Sequence, residues 1–245
     1  MDSGFYAACT GLLAKTDALD LAAHNLANAG TSGYKAQLEF YRSLTASLGN
    51  RPLSVLNQAV NDYGVLGGAT LDMTSGEFTR TGNDLDLALE GQGFFVVQTP
   101  AGLRYTRDGS FHANAKGQLV TSNGNFVMGE KDPISVPSGP VSVSSDGTIS
   151  QGGAVVAQLK VVTFPAGTPL QPEGNSLYSA PTGSEKVDPD PRLSQGMLES
   201  SNQNPIVGAV SLMALQRHAQ MLQRALSIFH TTINGTATQE LPRVS

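Results

Sequence analysis

The sequence predicts an α+β protein: paired N- and C-terminal long helices, coiled-coil-like, flanking a central antiparallel β sandwich or open barrel. Three observations carry that expectation. An apolar stripe with heptad spacing runs near each end of the chain, short β-prone segments fill the middle, and Asx-Gly dipeptides punctuate those segments at hairpin spacing.

The first helix is expected over residues 3–29, with Ser3 as N-cap. Phe5, Leu12, Leu19 and Leu26 recur every seven residues, and Ala8, Lys15, Ala22 and Ala29 fill the complementary position. The alanines make this a narrow stripe that lets a partner helix come close. The helix should end at Asn28-Ala29-Gly30-Thr31-Ser32-Gly33, with Gly30 in the left-handed C-terminal position and Gly33 allowing a second bend. Tyr34-Lys35 then opens an extended or helical run through Phe40, Tyr41 and Leu44. Residues 45–75 read as a loop-rich connection with one or two strands.

From Phe94 to Phe164 the chain reads as short strands. Phe94–Gln98, Leu103–Thr106, Ser110–His112, Gln118–Thr121, Asn125–Met128, Ile134–Val136, Val141–Val143, Thr148–Ser150 and Val155–Phe164 are the candidates. Asp108-Gly109, Lys116-Gly117, Asn123-Gly124 and Asp146-Gly147 stand between them and supply the positive φ that tight hairpins need. Residues 165–192 are expected as Pro- and Gly-rich loops, with 186–192 a hinge back to helix.

The second helix should start at Pro205 with Asn204 as its N-cap. Leu212, Leu215, Ala219, Leu222, Leu226, Phe229 and Ile233 alternate spacings of three and four without a miss. Gln216, Arg217, Gln220, Gln223 and Arg224 flank that seam. A stripe roughly 33 Å long at 1.5 Å rise per residue has to be covered by something. The two end stripes therefore pair with each other or with copies from other subunits. Leu13 and Leu21 lie off the first stripe, and that surplus favours packing among several chains. The expected organisation is an inner helical assembly domain (1–35 and 203–245), a connecting region (36–75 and 186–202) and an outer β domain (76–185).

Composition narrows the function. The 245 residues carry a net charge of −5 with 14% charged residues, which is no basic footprint for nucleic acid. Trp is absent, so there is no indole platform for sugars. The single cysteine, Cys9, pairs with nothing in the chain and reads as a small buried hydrophobe. No run of about 18 apolar residues exists to span a membrane. Asp2 stands where a secretory signal needs positive charge, so any exit from the cytoplasm is expected by a route that cleaves no such signal.

No catalytic constellation emerges. His24, His112, His218 and His230 are scattered, and neither His-Glu-x-x-His nor Gly-x-Ser-x-Gly occurs. Gly91-Gln92-Gly93 lacks the third glycine and following helix of a dinucleotide loop. Asp84 and Asp86 would share one face of a strand, but no third group converges on them. Asp188 and Asp190 lack a calcium ligand count. No cofactor and no metal are expected.

Asn25-Leu26-Ala27-Asn28-Ala29-Gly30-Thr31-Ser32-Gly33-Tyr34-Lys35 resembles N-L-A-N-x-x-T-x-G-[FY]-[KR], the signature of bacterial flagellar rod and hook proteins. Thr81-Gly82-Asn83-Asp84-Leu85-Asp86-Leu87-Ala88-Leu89 through Gly93-Phe94-Phe95, Tyr105-Thr106-Arg107-Asp108-Gly109-Ser110-Phe111, and Gly196-Met197-Leu198-Glu199-Ser200-Ser201-Asn202 are similar to further landmarks of that family, in the same order. In the last helix Arg217 matches, whereas Ala219 and Gln220 replace an aromatic and a glutamate. The compact stretch Leu44–Thr74 is closer to proximal-rod members, with distal-rod members next.

The resemblance implies a structural subunit of the periplasmic rod, polymerising with itself and other rod proteins. It also implies export through the flagellar type III apparatus, no membrane insertion and no catalysis. The expected assembly interface is Phe5, Leu12, Leu19, Leu26, Asn25, Asn28, Gly33, Tyr34, Leu212, Leu215, Arg217, Ala219, Leu222, Leu226, Phe229 and Ile233. A cell-wall-directed glycan-binding or hydrolytic β domain is the alternative from another class.

Overall fold

The computed structural model describes residues 2–42, 65–137 and 139–239. Part of the expected connection, residues 43–64, lies outside them, as do the side chains of Phe5, Phe229 and Ile233. The chain forms two compact units, one of residues 1–27, 37–70 and 205–245 and one of residues 28–36 and 71–204. It is an α+β protein, mostly antiparallel sheet, with one helix at each end and no closed barrel among the described residues.

The helical unit contains α1 (Asp2–Ala27) and α2 (Pro205–Gln239), which pack on each other. Pro205 opens α2 as expected, since its missing N–H costs nothing in a first turn. Ser3 lies inside α1 rather than capping it. Along α1 the covered line is Gly11, Ala14, Ala18, Leu21 and Asn25, with Ala14, Ala18 and Asn25 buried. Leu12, Leu19 and Leu26 are half-buried beside that line. Small side chains set the contact because helix spacing follows the residues at the crossing. A strand pair, Gln37–Arg42 with Val65–Leu71, completes the description of this unit, apart from the last residue of the second strand.

The β unit is organised on the strand Phe94–Thr99. Gly102–Thr106 lies antiparallel along one edge. Val161–Thr163 and then Phe126–Val127 share the other edge. Four consecutive residues, Phe94 to Val97, are buried because cores lie on both faces of this strand. Phe95 and Val97 enter the larger core, with Leu87, Leu89, Phe111, Ile134 and Ile149. Phe94 and Val96 enter a smaller one with Tyr105, Val162 and Tyr178. Ring contacts are edge-to-face: Phe95 to Phe111 at 5.1 Å and Phe94 to Tyr178 at 5.8 Å between centroids.

Several elements differ from the sequence expectation. Val155–Phe164 is two strands: Ala154–Gln158 joins a separate three-stranded sheet, and Val161–Thr163 joins the main one. Ile134–Val136 is not a strand but makes one isolated bridge, Ser135 to Gln118, with Pro133 and Pro137 on either side removing ladder donors. Residues 165–192, expected as loops, hold the hairpin Gln171–Gly174 with Leu177–Ser179 and the strand Lys186–Val187. Arg192–Gln195 pairs with Leu87–Glu90, and Met197–Glu199 pairs with Phe78–Arg80. These strands are long-range partners, so no turn signal marks them. Gly30 does not take a left-handed conformation; Gly33 does, at φ 65°. Gly109 also lacks the positive φ expected for a hairpin, and is required instead because a Cβ there would strike the Leu87 carbonyl.

Phe95→Ala removes the ring common to the central strand and the larger core. It is expected to lower stability by about 3–5 kcal/mol, read as a lower urea midpoint at unchanged slope.

Candidate functional site

The signature turn is built from its polar letters. In the helical unit Asn25 clamps strand residue Gln37 in both directions: its Nδ2 donates to the Gln37 carbonyl at 2.8 Å and its Oδ1 accepts from the Gln37 N–H at 2.9 Å. In the β unit Thr31 folds the turn by donating its N–H to the Asn28 carbonyl at 3.1 Å. Gly33 sits so close to Arg107 and Asp108 that a Cβ would collide with their backbone, and its positive φ excludes other residues a second time. Its N–H donates to the Glu199 carbonyl at 2.7 Å. Tyr34 is buried.

Lys35, the last letter of the signature, enters the interior of the β unit. Its Nζ donates to Glu199 Oε1 and to the Thr74 carbonyl, both at 2.7 Å. Arg107 lies on the other side of the same carboxylate, with Nε 3.4 Å from Glu199 Oε2. The three side chains are 1%, 0% and 0% exposed for Lys35, Glu199 and Arg107. Arg107 also donates to the carbonyls of Leu89 (3.3 Å) and Gly91, and its guanidinium stands 5.7 Å from the centroid of the Phe94 ring. Glu199 Oε1 accepts a further bond from the Gly76 N–H at 3.0 Å. Arg107 Nε and Glu199 Oε2 have no hydrogen bond and face each other as bare charges.

Burial sets the electrostatics. It lowers the pKa of Lys35 against the opposing pull of Glu199, and it lowers Arg107 in the same way. Tyr178, whose hydroxyl accepts the Lys35 backbone N–H at 3.1 Å, is pushed by burial up to about 12. Two cations thus share one carboxylate inside the β unit, which joins the cluster instead of opening it to a reactant.

Asn202 gathers the neighbouring backbone. Its Oδ1 accepts from the Ala36 N–H at 2.8 Å, and its Nδ2 donates to the carbonyls of Asp72 (2.9 Å) and Thr74 (3.2 Å). Sequence reasoning quoted Lys35, Arg107, Glu199 and Asn202 as motif letters but did not bring them together. The available signal was chemical: charged residues inside motifs otherwise made of glycine, aromatics and aliphatics, in a chain only 14% charged.

The expected interface residues fall in two places. Asn28, Gly33 and Tyr34 belong to the β unit, and the rest to the helical unit. On α2, Leu212, Leu215, Ala219, Leu222 and Leu226 are half-buried in a row, while Arg217 and Gln220 are exposed. The opposite side of α2 carries a second apolar set, with the exposed Arg217 and Arg224 in the same row. Ile206, Val210, Met213, Met221 and Ile228 are between 51% and 75% exposed. At 3.6 residues per turn they lie roughly 180° from the first row.

The remaining candidates are spent locally. Asp86 is buried and accepts from Asn83 Nδ2 at 2.9 Å, whereas Asp84 is exposed. Asp188 caps its own loop by accepting the Asp190 N–H. No group of three metal-ligating side chains occurs among the described residues. A cleft of about 450 Å³ is lined by Asn83, Asp84 and Asn114 among others. Asn114 commits its amide to the turn, accepting from Lys116 and Gln118 and donating to Gln118 Oε1. Cys9 is half-buried on α1.

Glu199→Gln leaves two buried cations without a counter-charge and is expected to cost about 3–5 kcal/mol. Lys35→Met keeps the Arg107–Glu199 pair and should cost clearly less; denaturant titration of both variants gives the order. The folded state holds the Tyr178 proton more tightly than the unfolded chain does. Its contribution is therefore complete below pH 10 and drains away as pH rises towards 12. Tyr178→Phe should remove about 2–3 kcal/mol of that alkaline loss, measured as the difference in stability between the two proteins across that window.

Residues 88–157 match the family model described as the flagellar hook protein FlgE/F/G D1 domain. The flagellar basal-body rod protein FlgF of Caulobacter vibrioides is 35% identical over 226 residues, covering 89% of each chain. The protein of the same name from Escherichia coli is 33% identical and covers 93% of this chain and 94% of its own. The flagellar basal-body rod protein FlgG of Agrobacterium fabrum is 32% identical, covering 90% and 92%. Landmark motifs that fold into one buried cluster, and relatives matched over about nine-tenths of their length, lead to one conclusion: the chain belongs to the family of flagellar basal-body rod proteins.

Proposed function

We propose that this chain is a structural subunit of the flagellar basal-body rod, placed in the proximal rod. The observation that carries the proposal is the second apolar face of α2. One face of α2 is half-covered by packing with α1; the opposite face, Ile206 to Ile228, is open over about six turns. Large apolar side chains along that face, with the exposed Arg217 and Arg224 set among them, make a partner surface. Where that open face meets a different surface of the next subunit, the contact is heterologous and extends into a filament instead of closing a dimer.

Relatives named FlgF support the proximal position, and relatives named FlgG keep the distal rod as the second reading. In this reading the neighbours are copies of the chain and other rod proteins, and the rod stands in the periplasm. The subunit reaches it through the flagellar export apparatus. Torque passes through packed side chains and sheet as elastic load, with no chemical step. Of the interface expected from Phe5 to Ile233, the described helical side chains, Leu12 to Leu226, are then used in part within the subunit and in part between subunits.

Met221→Asp and Leu222→Asp separate those parts. Met221→Asp changes an exposed residue and is expected to shift monomer stability by no more than about 0.5 kcal/mol, yet to abolish incorporation into isolated basal bodies and swimming. Leu222→Asp places a charge in the row facing the packed side; it should loosen the helical unit of the monomer, leave the β unit folded and also block assembly. Wild-type swimming by Met221→Asp cells would remove the open face from the mechanism.

A further inference from the structure

We infer that Asn202, backed by the Lys35–Glu199 pair, is a clamp that fixes the points at which three segments of the chain leave the β unit. Load then enters those segments at one rigid root rather than at independent joints. The chain crosses between its units at residues 27/28, 36/37, 70/71 and 204/205. The last three of these crossings are laced together from inside the β unit. Ala36 stands directly before one, Asp72 two residues after the next, and Asn202 a short step before the last.

The Asn202 side chain bonds to both of the other segments, through the Ala36 N–H at 2.8 Å and the Asp72 carbonyl at 2.9 Å. Ala36 and Asp72 are bonded to each other by the Asp72 N–H on the Ala36 carbonyl at 2.8 Å. The Asn202 N–H reaches the Tyr34 carbonyl at 3.4 Å. Each exit is therefore tied to the other two. One layer deeper, Lys35 Nζ repeats the pattern with charge, bridging the Thr74 carbonyl and Glu199.

The competing explanation is that an ordinary amide satisfies some loose strand ends. It does not account for the convergence of three exits on one side chain that is only half-buried and belongs to neither hydrophobic core. A few residues of unbraced chain behave as a flexible coil that takes up strain before passing it on. Cross-ties at the root remove that slack.

The mechanical half of this inference rests on the rod reading; the clamp itself is tested on the isolated full-length protein. In Asn202→Ala the Ala36 amide should exchange with solvent at least about tenfold faster, while amides of the central strand, such as Val97, keep their protection. Asn202→Asp retains the acceptor for Ala36 and turns a carboxylate oxygen towards two carbonyls. It should leave Ala36 protected and, by repelling the Asp72 carbonyl, loosen that segment so that the Asp72 N–H, bonded to the Ala36 carbonyl, exchanges faster. That selective pattern decides the matter even if Asn202→Ala loses protection throughout the sheet. Unchanged exchange at Ala36 in a folded Asn202→Ala protein would overturn the clamp. In cells, basal bodies containing Asn202→Asp should form, and motor speed should fall more steeply than wild type as medium viscosity rises. Wild-type speed at every viscosity would overturn the mechanical role. Absence of the wild-type protein from purified basal bodies would instead sink the rod reading and leave the exchange result standing.

Discussion

Glu199 is one carboxylate holding two buried cations from segments far away in sequence, and most of the β unit depends on it. Lys35 arrives with the turn after α1, Arg107 from the sheet and Glu199 from the last strand before α2. Moving such charges out of water is costly, and their mutual attraction offsets that cost only when the geometry is satisfied. Here carbonyls of Thr74, Leu89 and Gly91 take donors of both cations, while Arg107 Nε meets Glu199 Oε2 as an ion pair without a hydrogen bond. The cluster cannot form partially without stranding a charge. It therefore favours one register for the signature turn, because Gly33 must lie against Arg107 and Asp108 at the same time.

That register has a consequence for the helices. The cluster specifies where the chain exits the β unit, and each exit begins or ends a segment of the helical unit. Asn25 performs a related task in the last turn of α1, where its amide imitates a strand neighbour for Gln37. Polar side chains thus position the junctions. Apolar surface supplies the contacts: a close α1–α2 pair built on alanines, and an open face on α2 for a partner. Small residues permit close approach inside the subunit, whereas the larger Ile, Val and Met side chains stay on the outside of the pair.

Periodicity made the helices legible. The row Leu212 to Leu226 is half-covered, and the strand at Phe94 lies where a glycine-led apolar run demands it. Motif spelling made the family legible, since the letters of the signature are those the turn needs. Periodicity was less informative along α1, where sevenfold leucines drew attention and the buried line is Ala14, Ala18 and Asn25. Alanine carries too little hydropathy to register as a stripe, although its small size is what brings the partner helix near. The second face of α2 escaped because Arg217 and Arg224 interrupt it in the sequence.

The amino-acid order alone determined which segments are helical, where tight turns fall and which family the chain resembles, because each depends on residues close together along the chain. The pairing of Arg192–Gln195 with Leu87–Glu90, the meeting of Lys35, Arg107 and Glu199, and the lacing of three exits by Asn202 were decided only in three dimensions. Each joins residues about ninety to more than one hundred and sixty positions apart. No local propensity encodes which distant carbonyl or charge a buried side chain will find; that is settled when the whole core closes and buried polar groups are left to pair with one another.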